Sequence, residues 1–187
     1  DGAAAEAMGW ETIRNNKSAI PVYSLLYKQY FLAKKNDDAE RVLREKLSNN
    51  QDSPDSYIDL AAFYHTTSNV GARTQIIDQL LAKKSLSSQA YLAAAGFYNA
   101  IAEYESAKKL FQEGRQAHPE NKLPYFKGEI SVLLFQDKKT ESLRLVETAL
   151  KEFPKDLHIR TSQGFIWSES QDPARVDAGI AELRAVI

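Results

Sequence analysis

The chain of 187 residues carries 24 Lys and Arg against 25 Asp and Glu, so it has no excess charge to attract nucleic acid or an anionic membrane. Hydrophobic residues make up 43%, and Gly and Pro number only 8 and 6, which argues against disorder and a turn-rich β fold and favours helices. The lack of cysteine excludes disulfides and thiolate chemistry, and no apolar run reaches the roughly 20 residues that cross a bilayer.

Tyrosines that recur at one interval indicate an internal repeat. They are Tyr23, Tyr57, Tyr91 and Tyr125, and successive members are 34 residues apart. The interval predicts helix pairs over residues 20–53, 54–87, 88–121, 122–155 and 156–187. Counting back one period, Ala5, Gly9 and Ile13 have the i, i+4, i+8 spacing of one helix face. They predict a lone helix over residues 1–17, which is either the second half of a preceding repeat or a cap.

The first two copies depart from regularity in different places. In the copy over 20–53, Tyr27 stands where a small residue allows close helix packing, so we expect that helix pair to splay. In the copy over 54–87, Arg73 falls one period after Ala39, whereas Ala72 is one residue early. This offset predicts a lost or shifted residue in the turn at 69–71.

The third copy is the most regular. Its first helix carries one stripe of residues, which are Tyr91, Ala94, Ala95 and Tyr98. Its second helix carries another, which is Ala107 and Phe111. Ala95 and Ala107 let the helix axes approach closely, and Pro119 separates this pair from the next. The pattern resembles the tetratricopeptide repeat (TPR). The resemblance implies an all-α fold, a right-handed superhelical solenoid of antiparallel helix pairs, with residues 1–187 as one continuous array.

The last two copies need a shift of register. Pro154 follows Pro119 by 35 residues, which predicts one extra residue in the turn at 136–139. With that shift, the fifth copy is marked by Gly164, Trp167, Val176, Ile180 and Leu183. We expect Trp167, Ile180 and Val186 to lack a following repeat that would cover them. The chain would then be a segment of a longer array.

The sequence offers no arrangement typical of an active site. His65, His118 and His158 are far apart, and none has a second ligand at helical spacing. The glycines are isolated within helical patterns and form no phosphate-binding loop. We therefore predict no catalytic residue, no metal, no cofactor and no enzymatic activity.

The TPR resemblance implies a binding groove lined by the first helices of successive pairs. The positions expected to contact a partner protein or peptide are Lys28, Ile58, Asp59, His65, Leu92, Asn99, Phe126 and Lys127. The alternative, that these are ordinary surface or packing residues, stays open. Some TPR proteins bind chaperone tails with a Lys/Asn/Asn/Lys/Arg clamp. Those positions here hold Ser24, Lys28, Asp59, Gln89 and Ala93, so this kind of adaptor is not expected.

Three functional hypotheses follow. The first is a noncatalytic scaffold that binds a partner segment in the groove. The second is a periplasmic module of a bacterial envelope or exopolysaccharide-export assembly, and the third is a repeat region that regulates or recruits for a larger enzyme. The sequence leaves the compartment and the oligomeric state open, because the chain starts without Met and an upstream signal or anchor could have been removed.

Overall fold

The computed structural model describes residues 2–185, which contain eleven α-helices and no strand. The helices are α1 (Gly2–Asn15), α2 (Ile20–Leu32), α3 (Asn36–Asn49), α4 (Pro54–Thr66), α5 (Val70–Leu81), α6 (Ser87–Ala100), α7 (Tyr104–Ala117), α8 (Lys122–Phe135), α9 (Lys139–Glu152), α10 (Leu157–Ser168) and α11 (Pro173–Ala185). Short 3₁₀ turns, Lys84–Leu86 and Pro119–Asn121, precede α6 and α8. The predicted all-α fold of antiparallel helix pairs is confirmed. None of these helices is long and apolar enough to cross a bilayer.

The chain forms two compact units, Asp1–Ala93 and Ala94–Ile187. In the first, α1 packs on α2, α2 on α3, α3 on α4 and α4 on α5. In the second, α7 packs on α8, α8 on α9, α9 on α10 and α10 on α11. Each of the first helices α2, α4, α8 and α10 is therefore covered by its own partner and by the helix before it.

A left-handed residue ends the first helix of four pairs. These residues are Lys34, Ser68, Ala102 and Asp137, with φ between 55° and 60°. In each case the next backbone N–H donates back to a carbonyl in the last turn; for example, Glu103 donates to Tyr98 over 2.9 Å and Lys138 to Leu133 over 2.8 Å. This is the Schellman arrangement, which satisfies carbonyls at a helix end and turns the chain sharply. It accounts for the three-residue turns that join the paired helices.

We expect Ala102→Gly to raise the free energy of unfolding by about 1 kcal/mol, because a non-glycine residue in the left-handed region is strained by about that amount. Ala82 is the matched control, since it also follows a helix but has φ −74° and ψ −12°. Ala82→Gly should lower the free energy of unfolding by about 0.5 kcal/mol, because glycine there gains only unfolded-state entropy. Urea unfolding of the two variants measures the difference. Equal effects of both substitutions would contradict the argument.

The turn at 69–71 has lost no residue, so that prediction is wrong. Helices α3 and α5 begin 34 residues apart, and so do the left-handed residues Lys34 and Ser68. Arg73 itself occupies the position of Ala39 and is buried, with Nη1 3.2 Å from Nδ1 of His65. The buried face accommodates a long cation where the repeat pattern has a methyl group.

The extra residue of the fourth copy lies before α8 and not in the turn at 136–139. The turns at 101–103 and 136–138 have equal length, and their left-handed residues are already 35 residues apart. The buried positions of α8 likewise follow those of α6 by 35 residues: Tyr125 matches Ala90, and Ile130 matches Ala95. The insertion is therefore in the connection between α7 and α8. The interval that made Tyr125 a repeat marker is a coincidence.

The fifth pair also differs from its predicted pattern. Gly164 and Leu183 do pack together, since a Cβ added at Gly164 would lie 2.9 Å from Cγ of Leu183. The buried position of α11, however, is Gly179, whereas Ile180 is exposed. Trp167 is half-buried, and Val186 lies outside the described residues.

Candidate partner-binding site

The outward side of α2 and α4, hereafter the first-helix face, exposes unusual apolar surface on α2. Leu25 and Leu32 are 68% and 70% exposed. They stand at i and i+7 with Lys28 between them, so all three project from one side of the helix. Of these, only Lys28 is among the positions predicted from the sequence.

On α4, the predicted residues Ile58, Asp59 and His65 lie on or beside the same face. Ile58 is half-buried and His65 is exposed. Asp59 is 46% exposed, and its Oδ2 lies 2.5 Å from Nζ of Lys46, whose side chain is only 5% exposed. Lys46 belongs to α3, so a second helix contributes a buried cation to this face.

A pocket of about 270 Å³ lies between α2 and α4. Its lining residues are Ser24, Tyr27, Leu43, Lys46, Asp59 and Ala62. Leu43 and Lys46 come from α3, behind the two first helices. The ring of Tyr27 stacks on Phe31 at 5.5 Å and meets Phe63 edge-on at 6.4 Å, which fixes one wall. Burial, and secondarily the negative charge of Asp59, raise the pKa of Tyr27, so its hydroxyl remains protonated.

The predicted residues on α6 fall in different units. Leu92 belongs to the first unit and Asn99 to the second, and each is half-buried. They add nothing to the pocket between α2 and α4.

Phe126 is in the core of the second unit, where a partner does not reach it. It is 2% exposed and packs edge-on against Phe153 with ring centroids 6.2 Å apart. The guanidinium of Arg115 lies 4.3 Å from its ring centroid on another side. Because of the residue inserted before α8, Phe126 takes the position that the half-buried Tyr91 has in α6.

Lys127 contacts the neighbouring helix pair. Its Nζ lies 2.8 Å from Oδ2 of Asp156, and Asp156 accepts the backbone N–H of Ile159 over 3.1 Å and so caps α10. Burial acts to raise the pKa of Asp156, but the hydrogen bonds from Lys127 and Ile159 outweigh it and lower that pKa. The carboxylate is therefore held in its charged form. Lys127 links α8 to the start of α10.

A second and larger cleft of the first unit, about 560 Å³, lies between α3 and α5. Its residues include Arg44, Tyr57, Tyr64, Gln75, Gln79 and Lys83. Glu40 accepts hydrogen bonds of 2.7 Å from both Tyr64 Oη and Arg44 Nε. Burial and this bond raise the pKa of Tyr64 to about 12. The carboxylate of Glu40 therefore compensates the charge of Arg44 within the chain.

Residues 2–185 contain no group of three or more His, Asp or Glu side chains placed to hold a metal ion. His118 contacts Glu120 through Nδ1 at 3.2 Å and stacks on Tyr125, and His65 contacts Arg73. The three histidines are thus dispersed over separate helix ends.

The helix pairs, the Schellman turns and the spacing of 34 or 35 residues define the fold of tetratricopeptide repeat proteins. The structure is similar to that of Pseudomonas aeruginosa PilF, with 18% identity over 89% of this chain and 76% of that one and a TM-score of 0.55. It is similar to yeast Tom70 at 12% identity and a TM-score of 0.65; the match covers 97% of this chain but 38% of Tom70. A TPR protein from Thermus thermophilus matches at 16% identity, over 86% of each chain, with a TM-score of 0.54.

The sequence of the chain matches no family model and no curated protein. The structural likenesses, at 12 to 18% identity, establish the fold alone.

Proposed function

We propose that the chain is a noncatalytic scaffold that binds a segment of a partner protein on the first-helix face of its first unit. The observation that carries this proposal is the exposure of Leu25 and Leu32 on α2, the helix that also supplies Ser24 and Tyr27 to the pocket between α2 and α4. Large apolar side chains grouped on a protein surface mark interaction sites more often than single ones do. Exposed apolar side chains together with the polar groups of Lys46 and Asp59 also have the composition of a protein interface, where apolar contacts give affinity and a few polar groups give orientation.

The partner class follows from the shape and charge of this face. The face carries two exposed leucines and a small pocket, which suit an extended or helical segment better than a free metabolite. The chain has a formal net charge of −1, so a polyanion would gain little from long-range attraction. A protein segment is therefore the ligand that this face fits.

We expect a Leu25→Ser/Leu32→Ser variant to bind partner peptides at least about tenfold more weakly than the parent chain, a loss of about 1.4 kcal/mol. The probes are 12-residue peptides selected on the parent chain from a displayed random library, and affinities are measured by fluorescence anisotropy. Met8 and Val70 supply a matched control, because they are 68% and 59% exposed on other helices of the same unit.

The Met8→Ser/Val70→Ser control removes comparable apolar surface elsewhere and should leave affinity unchanged. Circular dichroism checks that both variants are folded. The proposal is contradicted if no peptide is selected, or if the two double variants lose affinity equally.

A further inference from the structure

Lys46 is a buried cation whose hydrogen-bonding capacity is mostly unused. An ammonium group has three N–H donors, and within residues 2–185 the one hydrogen bond of Lys46 goes to Oδ2 of Asp59. The side chain is only 5% exposed, and it lines the pocket between α2 and α4. Two donors in a largely desolvated position are costly unless an acceptor enters the pocket.

Asp59 places an acceptor directly beside these donors. Its Oδ2 takes the hydrogen bond from Lys46, and its Oδ1 accepts none from the described residues. Asp59 is 46% exposed, so this oxygen is accessible from the first-helix face. The pocket thus presents a donor and an acceptor one hydrogen bond apart. Its remaining walls include the apolar Leu43 and Ala62 and the ring of Tyr27.

We propose that this pocket binds the carboxamide of an Asn or Gln side chain in the partner segment, an inference that rests on the function proposed above. The carboxamide oxygen accepts a hydrogen bond from Lys46, and its NH₂ group donates to Oδ1 of Asp59. The adjacent methylene groups contact Leu43, Ala62 and Tyr27. A carboxamide matches the pocket because it carries an acceptor and a donor side by side.

Other side chains match less well. A carboxylate brings a second negative charge next to Asp59, and an ammonium or guanidinium brings a second positive charge next to Lys46. An apolar side chain fills the volume but leaves the donors of Lys46 unsatisfied. The volume of about 270 Å³ lies below the roughly 300–1,000 Å³ of pockets that hold a drug-sized molecule, and so fits one side chain.

The test uses peptides selected on the parent chain as described above. We expect the selected peptides to share one Asn or Gln position. Replacing that residue in the peptide by Glu, Lys or Leu should weaken binding at least about tenfold, as measured by fluorescence anisotropy.

A specificity change in the protein separates recognition from a merely structural role. Lys46→Met removes the donors, so the Leu-substituted peptide should bind this variant at least as tightly as the original carboxamide peptide. Lys35→Met is the matched control, because Lys35 is an exposed lysine next to the start of α3 and does not line the pocket. This control should keep the preference for the carboxamide peptide.

The outcomes distinguish the two proposals. Peptides that depend on Leu25 and Leu32 but share no Asn or Gln, or that prefer Glu at the common position, overturn the carboxamide inference and leave the scaffold proposal standing. A preference that persists in Lys46→Met also overturns it. Peptides that are insensitive to Leu25 and Leu32 contradict the scaffold proposal itself.

Discussion

Replacing Arg115 by Met is expected to lower the free energy of unfolding by about 3 kcal/mol, because it leaves a buried carboxylate without its cation. Glu129 on α8 is 5% exposed, and its Oε2 lies 3.0 Å from Nη2 of Arg115. Gln112 donates a hydrogen bond to Glu129 Oε1, whereas Oε2 forms the ion pair with Arg115 and accepts no hydrogen bond from the described residues. Arg115 itself is 23% exposed, so water can partly replace it, and we place the loss at the lower end of the range for a broken buried pair.

The same pair should tolerate joint replacement by apolar residues. The positions equivalent to Glu129 in α2, α4 and α6 hold Leu26, Leu60 and Ala94, all buried and apolar. An Arg115→Met/Glu129→Leu variant is expected to unfold within about 1 kcal/mol of the parent chain, since well-packed apolar residues often replace a buried ion pair without loss. The cation–π contact of Arg115 with Phe126 is lost in both variants, which accounts for a small residual cost.

Urea unfolding followed by circular dichroism measures both effects. Arg144→Met, at an exposed arginine of α9, is the control and should change the free energy of unfolding by less than about 0.5 kcal/mol. A double variant less stable than Arg115→Met alone would contradict this expectation. Equal stability of Arg115→Met and the Arg144→Met control would contradict it as well.

The helix pairs were predictable because each copy repeats a stripe of aromatic and small residues at helical spacing. The register was not predictable where two neighbouring residues are both aromatic. Tyr125 and Phe126 are each suitable for the inward position, and one residue of register turns a helix by about 100°. That rotation moved Phe126 from a predicted surface into the core. Only the three-dimensional positions of the turns show that the insertion precedes α8.

The candidate site was predicted in part. Lys28 and Asp59 lie on first helices, where the TPR resemblance places a groove. Lys46 escaped prediction because it belongs to a second helix and a lysine is normally solvated. A signal was present, since the equivalent positions hold the buried residues Leu80, Gly114 and Ala149.

Leu25 and Leu32 were not predicted as exposed residues of the site. The apolar residues of α2 lie on every side of the helix, so composition alone does not show which of them face solvent. Burial of Tyr23, Leu26 and Tyr30 fixes the inward side and leaves the two leucines outside.

The crossing of α10 and α11 depends on two glycines. A Cβ added at Gly179 would lie 2.5 Å from the backbone N of Ser168 and 2.7 Å from the carbonyl O of Gly164. Because these are backbone atoms, the two helices must separate to accommodate it. A Cβ added at Gly164 would in turn lie 3.1 Å from the carbonyl O of Gly179. The pair therefore has no room for a side chain at its closest approach.

We expect Gly179→Ala to lower the free energy of unfolding of the second unit by about 2 kcal/mol, because overpacking costs more than the helix gains from alanine. Gly96→Ala is the matched control, since nothing lies within 4 Å of a Cβ added in that helix. It should instead raise stability by about 0.5–1 kcal/mol. Fluorescence of Trp167, whose Cβ would lie 2.9 Å from the added Cβ at Gly179, reports on this crossing in a Trp10→Phe background. Unfolding curves that superimpose for the two Gly→Ala variants would show that α10 and α11 are not held by this glycine contact.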